Sequence, residues 1–247
     1  MTRSYLGAYW SSRAQSIDEC VEAVGVFLDS ISGLSPHYSG WRLRPKYVSA
    51  DSAVATTDAT FSILDTLKHG RIVRDADGEV IEELGYSAAL WNGADCADNS
   101  VSLSIQMAVT SQWVPNSIVL QLPDDNAVPE LYGYDKSLSA LMSAVSAFVP
   151  DYCLWTSSYL TDRQAEPDRV FDDGSCVLGE LTGVPAGWAT FLTDGRSPQF
   201  DRSQLPEDAK AIRVEHGTVV VVGDDPARPS IDDVLQVRCA MGYEVVK

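Results

Sequence analysis

Ser87 and His216 are the residues of this 247-residue sequence whose types come closest to a catalytic pair. Ser87 lies in Gly85-Tyr86-Ser87-Ala88-Ala89, which differs by one residue from the Gly-x-Ser-x-Gly turn that carries the nucleophile of many hydrolases. That turn needs an apolar strand before the serine and a helix after it, whereas two glutamates precede this segment and a turn dipeptide ends it. A small serine hydrolase that uses Ser87 and His216 is therefore the alternative hypothesis.

Metal and cofactor chemistry finds little support in the spacing of the polar residues. The three histidines are isolated, and the five cysteines include no Cys-x-x-Cys pair, which predicts free thiols in a reducing compartment. The segment Asp75-Ala76-Asp77-Gly78 resembles part of a calcium loop, but Val73 and Leu84 would fill the first and twelfth ligand positions. Since neither side chain can bind calcium, we expect a turn there, as at Asp224-Asp225-Pro226. We expect no metal, no cofactor and no enzymatic activity.

Net charge restricts the partners more than any motif does. The sequence holds 18 Lys and Arg against 35 Asp and Glu, which gives a formal charge of −17. Direct binding of nucleic acid is disfavoured, because phosphate contacts need Lys and Arg, and so is an anionic membrane surface. The same charge attracts a basic partner. The sequence shows neither a signal-peptide pattern nor an apolar run of transmembrane length, so we expect a cytoplasmic location.

The spacing of apolar residues predicts the elements that must position these groups. Helical spacing predicts four helices, over about 17–32, 58–68, 137–148 and 231–240. The first has the clearest start, because Ser16 and Glu19 have the spacing of a capping box. Strands are predicted over 86–91, 101–109, 117–122, 188–192, 211–215 and 218–222, with a hairpin over 71–74 and 79–82.

The order of these elements predicts the fold class. Strands that cluster, instead of alternating strictly with helices, indicate an α+β fold with a largely antiparallel sheet packed with about four helices. We expect a single domain over residues 1–247. Residues 161–182 are predicted to form a polar, acidic loop with room for a short hairpin. Most of the six tryptophans are expected in the core, and a minority as exposed anchors at an interface.

Three segments together resemble the immunity protein 52 family of bacterial polymorphic toxin systems. They are the first segment from Tyr5 to Trp41 with its capped helix, the central segment 84–93, and the Gly-Trp segment 187–192. The motif residues are Tyr9, Trp10, Arg13, Trp41, Trp91, Asn92, Gly93 and Trp188. The resemblance covers nearly the whole chain. We expect these residues to hold the fold, and Asn92 can adopt the left-handed turn conformation before Gly93.

The resemblance implies a cytoplasmic antidote that binds a cognate toxin domain and does no chemistry itself. Such toxins are often nucleases of the restriction-endonuclease type, commonly delivered by a type VI secretion system, and the antidote blocks the active site or the substrate groove. A nuclease presents basic residues to phosphates, so an acidic inhibitor can compete for that surface. The expected contact residues are Asp162, Glu166, Asp168, Asp172 and Asp173.

Two other interpretations stay open at this stage. The acidic segment is equally well explained as a solvated loop that has no partner. The whole chain could also be a scaffold or adaptor that binds no toxin.

Overall fold

A nine-stranded antiparallel sheet packed with helices forms the body of the protein, which confirms the predicted α+β class. The computed structural model describes residues 3–43, 62–94, 96–171, 173 and 175–244. The strands of the large sheet are β1 (Ser4–Trp10), β2 (Arg42–Leu43), β3 (Tyr86–Trp91), β4 (Ser102–Met107), β5 (Asn116–Gln121), β6 (Tyr152–Ser157), β9 (Ala189–Thr193), β10 (Lys210–Val214) and β11 (Gly217–Val221). Their order across the sheet is β10-β11-β9-β6-β1-β5-β4-β3-β2. Two further strands, β7 (Arg169–Val170) and β8 (Cys176–Val177), pair only with each other.

Five α-helices lie within the described residues. They are α1 (Ile17–Ser32), α2 (Ile63–His69), α3 (Tyr134–Phe148), α4 (Ser158–Asp162) and α5 (Ile231–Ala240). The capping box of α1 forms as predicted: the Ser16 hydroxyl accepts the Glu19 amide at 3.2 Å, and the Glu19 carboxylate accepts the Ser16 amide at 2.6 Å. The helix predicted over 58–68 corresponds to α2, and its first residues lie outside the described part of the chain.

The two faces of the sheet are covered by different helices. On one face, the large side chains of β1, β5 and β6 pack beneath α1 and α3 in the main core, where Trp10 stacks on Phe148 at a centroid distance of 5.7 Å. On the other face, Leu192 and Val220 join a second cluster with Val234 and Val237 of α5. Period-two alternation in β9 and β11 sends neighbouring side chains into the two clusters, so these strands are buried on both faces.

The antiparallel register gives the sheet two distinct ends. At the Ser4 end, β1 begins while β5 and β6 finish at Gln121 and Ser157. At the Trp10 end, β1 finishes while β5 and β6 begin. The loops that leave these two ends carry exposed polar and apolar residues.

Several elements differ from the sequence prediction, which also lacked the short strand β2 and the short helix α4. β1 and β6 lie side by side in the middle of the sheet and were not predicted as strands. The hairpin over 71–74 and 79–82 was wrong in its second half: Val73 bridges Val80, but residues 82–84 form a short 3-10 helix. An isolated two-stranded ribbon is marginal in water, and here the pairing shrinks to single bridges around the predicted turn at Gly78.

Candidate interaction surface

A ribbon protrudes from the Ser4 end of the sheet, between α4 and β9. We define it as residues 165–183; it contains β7 and β8, paired through Arg169 with Val177 and Val170 with Cys176. The predicted acidic loop with its hairpin is thus present. The ribbon closes at its base, where the Glu166 amide donates to the Glu180 carbonyl at 3.1 Å.

Two buried polar side chains fix the base of the ribbon to the body. The Gln164 amide nitrogen donates to the carbonyls of Leu160 and Ala186, both at 2.9 Å, and its oxygen accepts the Ala186 amide at 2.7 Å. From α5, the Arg238 guanidinium donates to the carbonyls of Val184 and Thr182 at 2.9 and 2.6 Å. Both side chains are almost fully buried, so their hydrogen bonds hold the base of the ribbon against the body.

Arg238 is buried with its charge facing carbonyls and an aromatic ring. It is 1% exposed, and its guanidinium lies 4.8 Å from the centroid of the Tyr243 ring. Burial lowers the pKa of Arg238, against the opposing effect of nearby Tyr243. Gly183 has a φ of +72° and lies directly beneath the Tyr243 ring, where any β-carbon would collide with it. This contact explains why a glycine ends the ribbon.

The structure places four of the five predicted contact acids on or beside the ribbon, all exposed. Asp162 ends α4, and Glu166 pairs with Arg169 at 3.2 Å. Asp168 accepts the Gly179 amide at 2.8 Å, and Asp173 accepts the Ser175 amide and hydroxyl. The hydrogen bonds from Ser175 lower the pKa of Asp173. The fifth, Asp172, lies outside the described residues.

The fold adds acids to this end that the sequence reasoning did not name as contacts. Asp124 and Asp125 follow β5, and Asp224 and Asp225 follow β11, at the same end of the sheet. The two loops meet where Arg228 donates to Asp125 at 2.7 Å. Sequence spacing indicated only turns at such positions, because nearness in space depends on strand order.

Exposed apolar side chains accompany the acids of the ribbon. Phe171, Val177 and Leu178 are all more than half exposed, and Leu178 reaches 72%. Together with Glu166 and Glu180 they line a shallow cavity of about 240 Å³. Apolar groups inside a polar rim are the usual anatomy of a protein-binding patch.

The residues of the family motif make contacts within the fold. Trp10 and Trp188 are buried, and the Tyr9 ring stacks on Tyr152 at 4.9 Å. The Arg13 guanidinium donates to the carbonyls of Phe148 and Val149 at 2.9 and 2.8 Å. At the far strand, the ring nitrogens of Trp41 and Trp91 donate to backbone carbonyls at 3.0 and 3.2 Å.

The backbone conformation of Asn92 differs from the prediction. Gly93 alone takes the left-handed conformation, with φ of +71°, and Asn92 does not. The Asn92 amide nitrogen donates to the carbonyls of His37 and Asn99, and its oxygen accepts the amides of Ala94 and Val101. Asn92 is therefore a side-chain bridge between three chain segments, which the dipeptide pattern does not reveal.

The hydrolase pair is not assembled. Ser87 lies on β3 and His216 in the turn between β10 and β11, and six strand spacings separate β3 from β11. At about 4.8 Å per spacing, the two strands are about 29 Å apart. The Ser87 hydroxyl instead donates to the Gly70 carbonyl at 2.9 Å.

The described residues show neither a metal site nor a membrane-spanning helix. No group of three or more His, Cys, Asp or Glu side chains in these ranges is arranged to hold a metal ion. None of the helices in the same ranges has both the length and the apolar character needed to cross a bilayer.

An acidic end with exposed apolar groups, carried on an anchored ribbon, is typical of a protein-binding module. The family described as Immunity protein 52 matches residues 2–240, essentially the whole sequence. This chain belongs to the immunity protein 52 family, which confirms the resemblance seen in the sequence.

A solved structure has a similar fold. It is described as Pseudomonas aeruginosa T6SS protein PA0821 and is 12% identical, with a TM-score of 0.55. The match covers 98% of this chain and 76% of that one. At this identity the likeness concerns the fold alone. The search of curated proteins finds no match.

Proposed function

We propose that this chain is the immunity protein of a toxin–immunity pair and neutralises its cognate toxin by binding it. The observation that carries the proposal is the match of almost the whole chain to the immunity protein 52 family. Neutralisation by binding needs no catalytic group, and the one candidate pair, Ser87 and His216, is about 29 Å apart by strand position.

The proposed toxin is a basic nuclease domain of the restriction-endonuclease type, which the immunity protein meets in the cytoplasm. A formal charge of −17 supports a partner that exposes Lys and Arg to bind phosphates. The acids of the Ser4 end would occupy that surface and compete with nucleic acid, thereby occluding the active site or substrate groove. The T6SS description of the similar solved structure supports delivery of the toxin by a type VI system.

The proposed contact surface is the ribbon with its neighbouring acids, Asp162, Glu166, Asp168, Asp172 and Asp173. Opposite charges on two partners accelerate encounter by up to about three orders of magnitude at low salt. Because these acids are exposed, their main contribution is to the association rate. The apolar side chains of Phe171, Val177 and Leu178 would be buried in the complex.

Co-expression tests the function. The toxin domain encoded beside this gene is produced in bacteria with and without this chain, and survival is counted. Rescue of growth, with both proteins recovered as one complex, is the expected result. Equal killing with and without the chain would overturn the proposal and favour a scaffold or adaptor without a toxin partner.

Charge neutralisation tests the surface. The variant D162N/E166Q/D168N removes three exposed acids on or beside the ribbon and keeps an oxygen acceptor at each position. E22Q/D29N/E215Q removes three exposed acids elsewhere and is the matched control. We expect the first variant to lower the association rate about tenfold at low salt and to flatten its salt dependence. Equal rates for both variants would exclude the ribbon as the steering surface.

A further inference from the structure

Trp113 is the most exposed of the large apolar side chains in the described part of the chain. Its side chain lies in the loop between β4 and β5, at the Trp10 end of the sheet, and is 84% accessible to solvent. A tryptophan can bury 150–250 Å² of surface, so an exposed tryptophan leaves a large favourable free energy of burial unused. Trp10, Trp155 and Trp188 are, in contrast, almost fully buried.

The loop that presents Trp113 is tightly held. The amides of Thr110 and Ser111 both donate to the Glu83 carbonyl, at 2.9 and 3.2 Å, and the Trp113 amide donates to the Ser111 hydroxyl at 3.3 Å. The fully buried Asn116 accepts the Val109 amide at 2.8 Å. A ring displayed on such a support loses little conformational freedom when a partner binds it.

Unusual backbone conformations flank this loop. Ala108 and Val149, with φ of +58° and +44°, are the non-glycine residues with left-handed backbone among those described. This region is unfavourable for alanine and especially for the branched valine. Strain of this kind tends to persist at functional sites, where the surroundings hold it in place.

Arg13 of the family motif links this loop to the segment that contains Val149. Its amide donates to the Val109 carbonyl at 3.0 Å, and its guanidinium donates to the carbonyls of Phe148 and Val149. The Asn116 side chain adds a bond to the Ser11 carbonyl at 2.9 Å. We call this surface, residues 11–13, 108–115 and 149–151, the Trp113 corner. Val149, 40% exposed, adds apolar area to it.

The net charge of the whole molecule favours one kind of partner for the corner. Two copies of this chain, each with a formal charge of −17, repel one another. An anionic membrane also repels the chain. A basic protein is attracted to the molecule and, once near, can bury the indole. We propose that Trp113 is the anchor residue through which the cognate toxin docks, seated in an apolar pocket of the toxin. This inference rests on the proposed function.

The corner and the acidic end lie at opposite ends of the sheet, so a toxin domain must extend along the sheet to contact both. The seven residues of β1 span the two ends, about 20–24 Å at 3.4 Å per residue. A standard interface covers about 800 Å² on each partner, a patch about 30 Å across. Because both surfaces lie beyond the ends of β1, a toxin that contacts both needs an interface at least as large as this standard patch.

Binding kinetics at two salt concentrations test this anchor. The probe is the toxin domain encoded beside this gene, inactivated at its catalytic site. For Trp113→Ala we expect a Kd about 30-fold higher, which at 1.4 kcal/mol per tenfold is about 2 kcal/mol. The loss should appear as faster dissociation that is insensitive to salt, whereas loss of acids slows association. Trp113→Phe should recover part of the affinity.

The control is Val26→Ala, which trims a half-exposed apolar side chain on α1 and should leave Kd within about twofold. Circular dichroism and Tm verify that each variant is folded. If wild type binds the toxin and Trp113→Ala binds equally well, this inference is overturned while the proposed function stands. If wild type does not bind, the proposed function itself fails. If the wild type instead self-associates or binds vesicles through the corner, and Trp113→Ala loses this property, the inference about Trp113 is also overturned.

Discussion

At the scale of single residues, a few buried or part-buried polar side chains join separate segments of the chain. Asn116, Asn92, Gln164 and Arg238 each bond to the backbone of loops rather than to other side chains. Loops have no ladder of their own, so their backbone groups need such partners when they are buried. These residues therefore determine how firmly the exposed surfaces are presented.

Asn116→Ala should destabilise the protein by about 3 kcal/mol, measured as the free energy of unfolding in urea. The substitution leaves the buried Val109 amide without a partner and removes the side-chain hydrogen bonds to the carbonyls of Val109 and Ser11. Asn126→Ala is the control, because Asn126 is exposed and bonds only to neighbouring surface groups. It should cost less than about 0.5 kcal/mol. Similar losses for the two variants would contradict the role given to Asn116.

At the scale of elements, local signals located α1, α3, α5 and the strand β3 well. The capping box fixed α1 over Ile17–Ser32, and the predicted strand over 86–91 matches β3. The predicted helices at 137–148 and 231–240 correspond to α3 and α5. In each case a cap, a turn dipeptide or an amphipathic stripe marks the element within its own sequence.

The central strands lacked such signals. β1 contains Gly7 and Ala8, which have low strand propensity, and β6 is buried on both faces, so its residues do not alternate. The Trp113 corner was also not located, although a minority of exposed tryptophans was expected. A tryptophan among polar residues looks the same in sequence whether it is buried or displayed, because its burial depends on packing by distant segments.

Ser16→Ala tests the start of α1 and should lower the free energy of unfolding by about 1 kcal/mol. The hydroxyl caps the Glu19 amide, and the hydrogen bonds from Ser16 lower the pKa of Glu19. Since a depressed carboxylate pKa stabilises the fold above the unfolded pKa, this part of the stability is lost as pH falls through the folded pKa. Urea unfolding at neutral and acidic pH measures both effects.

Ser30→Ala, on the exposed side of the same helix, is the matched control for Ser16→Ala. Its hydroxyl only donates back to the Val26 carbonyl, so alanine should leave stability unchanged or slightly higher. A loss at position 30 equal to that at position 16 would mean that the capping box contributes nothing specific.

At the scale of the whole molecule, the charge of −17 acts on stability and on binding in opposite directions. In the free protein, the acids of the Ser4 end repel one another and oppose the folded state. In a complex with a basic partner the same acids attract. Screening by salt therefore stabilises the folded free protein and weakens the complex.

Raising NaCl from about 0.01 M to about 1 M shortens the screening length from about 30 Å to about 3 Å. We expect Tm of the free protein to rise by about 2–4 °C, equivalent to about 1 kcal/mol, and the affinity for the toxin to fall. The variant D162N/E166Q/D168N should gain less from salt than wild type. A Tm that is constant or falls in salt would show that attractive ion pairs outweigh the repulsion.

The position of β1 also sets the order in which the protein can be completed during synthesis. Both partners of β1, β5 and β6, follow it in the chain, and β6 is synthesised only after about 150 further residues. At 5–20 residues per second, the strand waits about 7–30 s before its neighbours exist. Until then this middle strand of the nine-stranded sheet lacks its partner on the β6 side. A chain in synthesis can therefore close its sheet around β1 only after β6 has been translated.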